Sequence, residues 1–201
     1  MRNNSITCLL ALSFVLAACL GVEGMTSFPA NIRVPDGHTF AVSYFAAGFQ
    51  IYRCNVSTGS WVLNRPEADL WPSKIGHDLN ETRVGYHRFV DGRPTWYTVS
   101  AKDYHVTDSR VTAKAEATAP DAPNIAWVLL KTFSTEGCGP LSRVTYVHRV
   151  NTNGGTAPAG ACSEGDGEYS SPYTAEYWYW VATEDAVCGS ASVRTSSIFS
   201  I

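Results

Sequence analysis

Arg110-Val111-Thr112-Ala113-Lys114-Ala115-Glu116-Ala117 places a small or apolar side chain at every second position with polar ones between. Successive side chains leave an extended chain on opposite faces, so a period of two marks a strand with one wet face. Just downstream, Ile125-Ala126-Trp127-Val128-Leu129-Leu130 is apolar throughout, which demands cover on both faces and a central place in a sheet. Toward the N-terminus, Thr39–Phe45 and Phe49–Cys54 read as a first pair of strands, each closed by Gly, Asn or Ser. Trp61-Val62-Leu63 follows the turn Ser57-Thr58-Gly59-Ser60, so Gln50–Cys54 and Ser60–Leu63 read as a hairpin. Further strands are expected at Arg83–Phe89, Thr95–Ser100, Ser109–Ala117, Ala126–Thr132, Ser142–Val150 and Thr174–Ala182.

No segment keeps a 3.6-residue apolar period over three turns, so a long helix is not expected. Eight or nine strands imply an all-β chain, either a single-domain antiparallel β-sandwich or a closed β-barrel with long loops. Asn64–Pro72, bracketed by Pro66 and Pro72, reads as a structured loop. Ala117–Asn124, with Pro120 and Pro123, reads as a crossover between sheets, and Asn151–Tyr169 as the longest loop. Neither a repeat nor a low-complexity linker divides residues 25–201, which are expected to form one domain.

Arg2 precedes an apolar run from Ile6 to Leu20, and Gly21 and Gly24 follow, the layout of a secretory leader over residues 1–24. Leu16-Ala17-Ala18-Cys19 also has the form of a lipobox, in which Cys19 becomes a lipidated N-terminus. No later run is long and apolar enough for a membrane-spanning helix. A formal charge of -3 offers no basic footprint for nucleic acid. Past the leader stand Cys54, Cys138, Cys162 and Cys188, an even number that in an oxidising compartment reads as two disulfides with three possible connectivities. None forms a Cys-x-x-Cys pair, so no metal site is expected. Nothing calls for a cofactor either. Asn55-Val56-Ser57 and Asn80-Glu81-Thr82 are glycosylation sequons, placing Asn55 and Asn80 as candidate acceptors.

Ile51-Tyr52-x-Cys54, Gly85-x-His87 and Pro94-Thr95-Trp96 stand among several ordered motifs that resemble a secreted family, domain-of-unknown-function family 3455. They run from Ile51-Tyr52-x-Cys54 through Trp61-x-Leu63, Pro66-x-Ala68-x-Leu70, Gly85-x-His87 and Pro94-Thr95-Trp96. Ile125-x-Trp127-x-Leu129-Leu130, Val147-x-Arg149-x-x-Thr152-x-Gly154-Gly155-x-Ala157-Pro158, Cys162 and Pro172-Tyr173-Thr174-Ala175-Glu176-Tyr177 complete the match. The resemblance implies a Cys54–Cys162 disulfide, both residues falling in its motifs, which leaves Cys138 for Cys188. Relatives labelled malate dehydrogenase exist, but this chain has no Gly-x-Gly-x-x-Gly after a strand and no βαβ alternation to hold a dinucleotide. Two departures stand out: His148 where the family carries Gln, and Thr107-Asp108-Ser109 where it has an Asp-Gly-Ser turn.

Four sets of side chains are candidates for chemistry. His87, between Gly85 and Gly92, is a general base or ligand, or else a packed histidine bonded to backbone. Glu67 and Asp69, two apart, share one face of an extended segment and are its acid–base partners, or else capping or solvated charges. Arg149 interrupts an apolar strand, where it either grips an anion or pairs with Glu67, Asp69 or Glu176. Tyr173, Tyr177 and Tyr179 fall on one face of a strand and Trp178 and Trp180 on the other; one row either stacks sugar rings or is buried.

The serines assemble no Gly-x-Ser-x-Gly elbow. The sequence therefore favours a non-catalytic extracellular module that binds carbohydrate or cell-wall material through Tyr173, Tyr177, Trp178, Tyr179, Trp180 and Arg149. Its rivals are a secreted hydrolase using His87 with Asp69 or Glu67, and a structural protein that self-assembles through edge strands.

Overall fold

The computed structural model describes residues 28–100 and 103–185. Eight strands, β1 His38–Asn55, β2 Ser60–Trp71, β3 Gly85–Val90, β4 Arg93–Ser100, β5 Asp103–Asp121, β6 Asn124–Gly137, β7 Val144–Gly154 and β8 Glu168–Ala182, follow one another around a closed barrel. Each pairs antiparallel with its neighbours in sequence, and β8 returns to pair with β1 from His38↔Ala182 to Arg53↔Glu168. Of the two architectures expected, the chain takes the barrel. Every strand is paired on both sides, so self-assembly through free edge strands loses its basis.

The period-two pattern now has a concrete meaning. Positions such as Val111 and Ala113 on β5, Val128 and Leu130 on β6, Val147 on β7 and Tyr177 and Tyr179 on β8 point into the barrel and form one buried cluster. Burying each of the larger ones contributes about 1.5–3 kcal/mol. The apolar run of β6 needs cover on both sides for a reason other than a sandwich. Its outward residues Trp127 and Leu129 join Tyr146, Trp180 and Ala119 in a second cluster, roofed by Phe28, Ile32 and Val34 of the segment that precedes β1.

Three local expectations change. Thr39–Phe45 and Phe49–Cys54 are one strand that runs through Gly48 without a break. A Cβ at that inward position would lie 2.1 Å from Glu67 O, so glycine lets β1 and β2 coil closely enough to close the wall. Asn64–Pro72 is mostly strand, not loop, since β2 runs to Trp71. Pro66 is tolerated because it sits beside the register shift at Ile51/Tyr52 and outside the stretch Glu67–Leu70 that pairs with β3. Ala117–Asn124 is the tight end of the β5–β6 hairpin, carrying a cis Ala122–Pro123 bond, because there is no second sheet to cross to. Between β2 and β3 lies a single short helix, α1 Lys74–Asp78, capped by Ser73 Oγ accepting from Gly76 N at 3.0 Å.

Strand direction sorts the connections to two ends. The β1–β2, β3–β4 and β5–β6 turns and the β7–β8 loop share one end; the start of β1, the end of β8 and the β2–β3, β4–β5 and β6–β7 connections share the other. At the first end the Cys54–Cys162 disulfide ties the β7–β8 loop to β1, and Cys162 N donates to Gly59 O at 2.9 Å. Cys138 is exposed, and Cys188, its expected partner, lies outside the described residues, as do the leader-like run and Cys19. Among the described residues no helix is long and apolar enough to cross a membrane.

Candidate functional site

Inside the end tied by the disulfide is a cavity of about 170 Å³. Leu63, Pro66, Phe89, Pro94, Val128 and Leu130 give it apolar walls, while Gln50, His87, Trp96, Arg149 and Tyr177 complete its lining. All five come from the same alternation. Trp96 faces His87 across β3–β4, and Arg149 faces Tyr177 across β7–β8, so neighbouring inward positions converge.

His87 is 4 % exposed and lies flat on Trp96, ring centroids 4.4 Å apart and planes 7° from parallel. Its Nδ1 is 2.9 Å from Thr95 O. A carbonyl only accepts, so Nδ1 carries the proton and Nε2 is the free acceptor. Burial drives the imidazole pKa down to about 3, overriding the Thr95 bond, with Arg149 pushing the same way. Arg149 Nε and Nη2 both donate to Ala126 O, at 3.1 and 2.8 Å. Among the described residues no carboxylate pairs with this guanidinium, so the expected ion pair with Glu67, Asp69 or Glu176 is not formed. Tyr177 OH and Tyr173 OH are 3.2 Å apart; burial raises both phenol pKa values, and Arg149 opposes the rise. Gln50 Nε2 is buried with no hydrogen-bond partner among the described residues, while Trp96 interacts with the Tyr177 hydroxyl.

Glu67 and Asp69 do share a face, but it is the outer one. Glu67 bonds Arg65 Nε at 2.8 Å, and Asp69 bonds Arg83 Nη1 at 2.5 Å. Both carboxylates border a shallow 510 Å³ groove on the outer wall that His87 also borders. The His87 ring, however, turns inward onto Trp96, because His87 pairs with inward-facing Ala68 and so alternates against both carboxylates. The acid–base pairing is therefore not assembled.

The tyrosine row Tyr173, Tyr177 and Tyr179 lies inside the barrel, at 3 %, 1 % and 0 % exposure. Trp178 and Trp180 face outward, where Phe28 and Phe40 pack edge-on against them. The barrel thus hides the tyrosine row, while on the outer face Trp180 is buried and Trp178 half-buried beside exposed Phe40. Two members of the proposed ligand set, Arg149 and Tyr177, nevertheless meet in the cavity. His148 belongs to the outer cluster: its Nε2 lies 2.5 Å from Ile32 O, and its Nδ1 accepts from Trp180 Nε1 at 3.1 Å. One donor and one acceptor are what this position uses, a pattern that Gln also supplies.

Gln50 and Trp96 were not singled out in the sequence. Their signal was positional, since Gln50 is the polar member of an otherwise apolar strand segment and Trp96 closes the motif Pro94-Thr95-Trp96. Asn55 lies at the β1–β2 turn, its Oδ1 accepting from Ser57 Oγ, and Asn80 is exposed with φ 54° after α1. No group of three or more His, Cys, Asp or Glu arranged for a metal occurs among the described residues.

Compared with known proteins, residues 35–181 match the model of the family described as "Protein of unknown function (DUF3455)". Searches of the curated proteins and of the solved structures returned no match.

Proposed function

The chain belongs to the DUF3455 family, and we propose that it acts as a non-catalytic module that takes a small, mainly apolar ligand into the disulfide-tied end of its barrel. The observation that carries this reading is a cavity of apolar walls inside the barrel whose lining includes His87, Arg149 and Tyr177 and no carboxylate. A pocket of apolar walls with a few convergent polar groups is the usual form of a small-molecule site. An apolar cavity of roughly 150 Å³ is large enough to hold benzene, so 170 Å³ suits a body of one ring. Catalysis has less support, because His87 is neutral, stacked and bonded to backbone, with no carboxylate beside it. Placement outside the cytosol is supported by the leader-like run and the cross-link Cys54–Cys162. For a cell-wall or sugar partner the outer wall offers only half-buried Trp178 beside exposed Phe40, so the cavity is the better supported site.

The test is a screen of fragments of about ten non-hydrogen atoms, read by amide and indole chemical shifts. Binders are expected to shift Trp96, Gln50 and Val128 together. Ala115→Leu, which fills the cavity from β5, is expected to abolish those shifts while the fold persists. Fragments that perturb only outer-wall residues, or shifts that survive Ala115→Leu, would refute the proposal.

A further inference from the structure

We infer that the ligand of this cavity is a neutral small molecule, a body of about one ring carrying a hydroxyl that donates to His87 Nε2 and accepts from Arg149. The inference rests on the cavity being a ligand site and adds the chemical class. Its basis is a buried ring in the lining whose inner nitrogen is served by nothing. The Thr95 carbonyl takes the proton of His87 Nδ1 at 2.9 Å. Nε2, across the ring from that bond, points away from the backbone of β4 toward the cavity, and no donor reaches it among the described residues. A buried acceptor without a donor is unfavourable, and the apolar walls around Pro94, Val128 and Leu130 supply none. The stack on Trp96, with planes 7° from parallel, holds this acceptor in one place.

The donors nearby are engaged elsewhere, on neutral oxygens of the protein. Arg149 gives Nε and Nη2 to Ala126 O and also bonds the Tyr177 hydroxyl, which interacts with Trp96 and lies 3.2 Å from the Tyr173 hydroxyl. The guanidinium still has N–H groups to spare. A ligand that suits both neighbours must therefore bring a proton for Nε2 and a lone pair for the guanidinium. A hydroxyl does both through one oxygen. An ether or a hydrocarbon has no proton to give. A carboxylate has none either, and it sets negative oxygens against the Nε2 lone pair. An ammonium group has protons but adds a second positive charge beside Arg149, where no Asp or Glu among the described residues lines the cavity to offset it.

The experiment compares phenol, toluene and benzoate by isothermal titration calorimetry at pH 7 on the disulfide-intact protein, and repeats the series on His87→Phe. That variant keeps a flat ring on Trp96 and has no acceptor. Phenol is expected to bind the parent more tightly than benzoate does. From the parent to His87→Phe, the affinity for phenol relative to toluene is expected to fall about tenfold, the scale of one buried hydrogen bond. Because His87→Phe also leaves Thr95 O without its donor, a second readout uses the parent alone: the Nε2 resonance of His87 in long-range proton–nitrogen spectra. Phenol is expected to move that resonance in the direction of an accepted hydrogen bond, and toluene to leave it in place, while both shift Val128. An unchanged phenol-to-toluene ratio in His87→Phe, an Nε2 resonance indifferent to bound phenol, or benzoate binding more tightly than phenol overturns the hydroxyl and leaves the cavity reading standing. None of the three compounds binding the parent protein brings down both.

Discussion

Acidification from pH 7 to pH 5 is expected to remove about 2 kcal/mol of folding stability through His87 alone. The imidazole has a pKa of about 3 in the fold, set mainly by burial, against an ordinary 6.5 in the unfolded chain. A folded pKa below the unfolded one means that the unfolded chain takes up the proton first. The stability is therefore whole above pH 6.5 and drains as pH falls, at about 1.4 kcal/mol per unit, until the folded group titrates. At pH 5 the unfolded histidine is almost fully protonated and the folded one is not, which gives the figure of about 2 kcal/mol. Urea unfolding followed by tryptophan fluorescence at pH 7, 6 and 5 measures it, with His87→Gln as the comparison. The glutamine keeps a donor for Thr95 O and does not titrate, so whatever it costs outright, it should flatten the pH dependence. Some slope will remain from His148, whose pKa burial also lowers, and it has the same sign. Parallel curves for the parent and His87→Gln over this window would refute the reasoning, because they would mean the buried ring takes its proton in the folded state as readily as in the unfolded one.

Three other perturbations probe the frame around the cavity. Replacing both Cys54 and Cys162 by Ser opens a cross-link spanning 108 residues and is expected to lower stability by about 2–5 kcal/mol in chemical unfolding, with added reductant doing the same to the parent. Gly85→Ala would set a Cβ 1.9 Å from Tyr97 O and is expected to prevent barrel closure or cost more than about 3 kcal/mol, whereas Gly92→Ala, in open space at φ 73°, should cost only about 1 kcal/mol by the same assay. His148→Leu strands Ile32 O and Trp180 Nε1 in the outer cluster and is expected to lose about 2–4 kcal/mol in thermal unfolding, while His148→Gln recovers most of it.

The strand content was legible because each wall position must satisfy only two conditions, inward or outward, and Arg110–Ala117 states them plainly. Closure was not legible, because it depends on what happens where strands approach most closely. Gly48 reads locally as a strand end, yet it is where β1 lies too close to β2 for a Cβ. Pro66 reads as a breaker for the same local reason, and only the register shift beside it and the limited reach of β3 make it harmless. The apolar run of β6 does need two covers, but its outer cover comes from Phe28–Val34, a segment with no periodic pattern to announce it.

The site was half legible for a related reason. Sequence spacing placed Glu67 and Asp69 on one face and the three tyrosines on another, and both groupings hold. What spacing within a strand leaves open is which face is the inside, and a register fixed by distant pairings decides that. Once Ala68 pairs with His87 and Arg149 with Tyr177, the carboxylates are carried to the outer wall and the arginine to the cavity. The same alternation that removes a catalytic pair thus brings His87, Arg149 and Tyr177 to one cavity, and Gln50 and Trp96, ordinary residues in the linear chain, are buried among its lining only because the barrel closes around them.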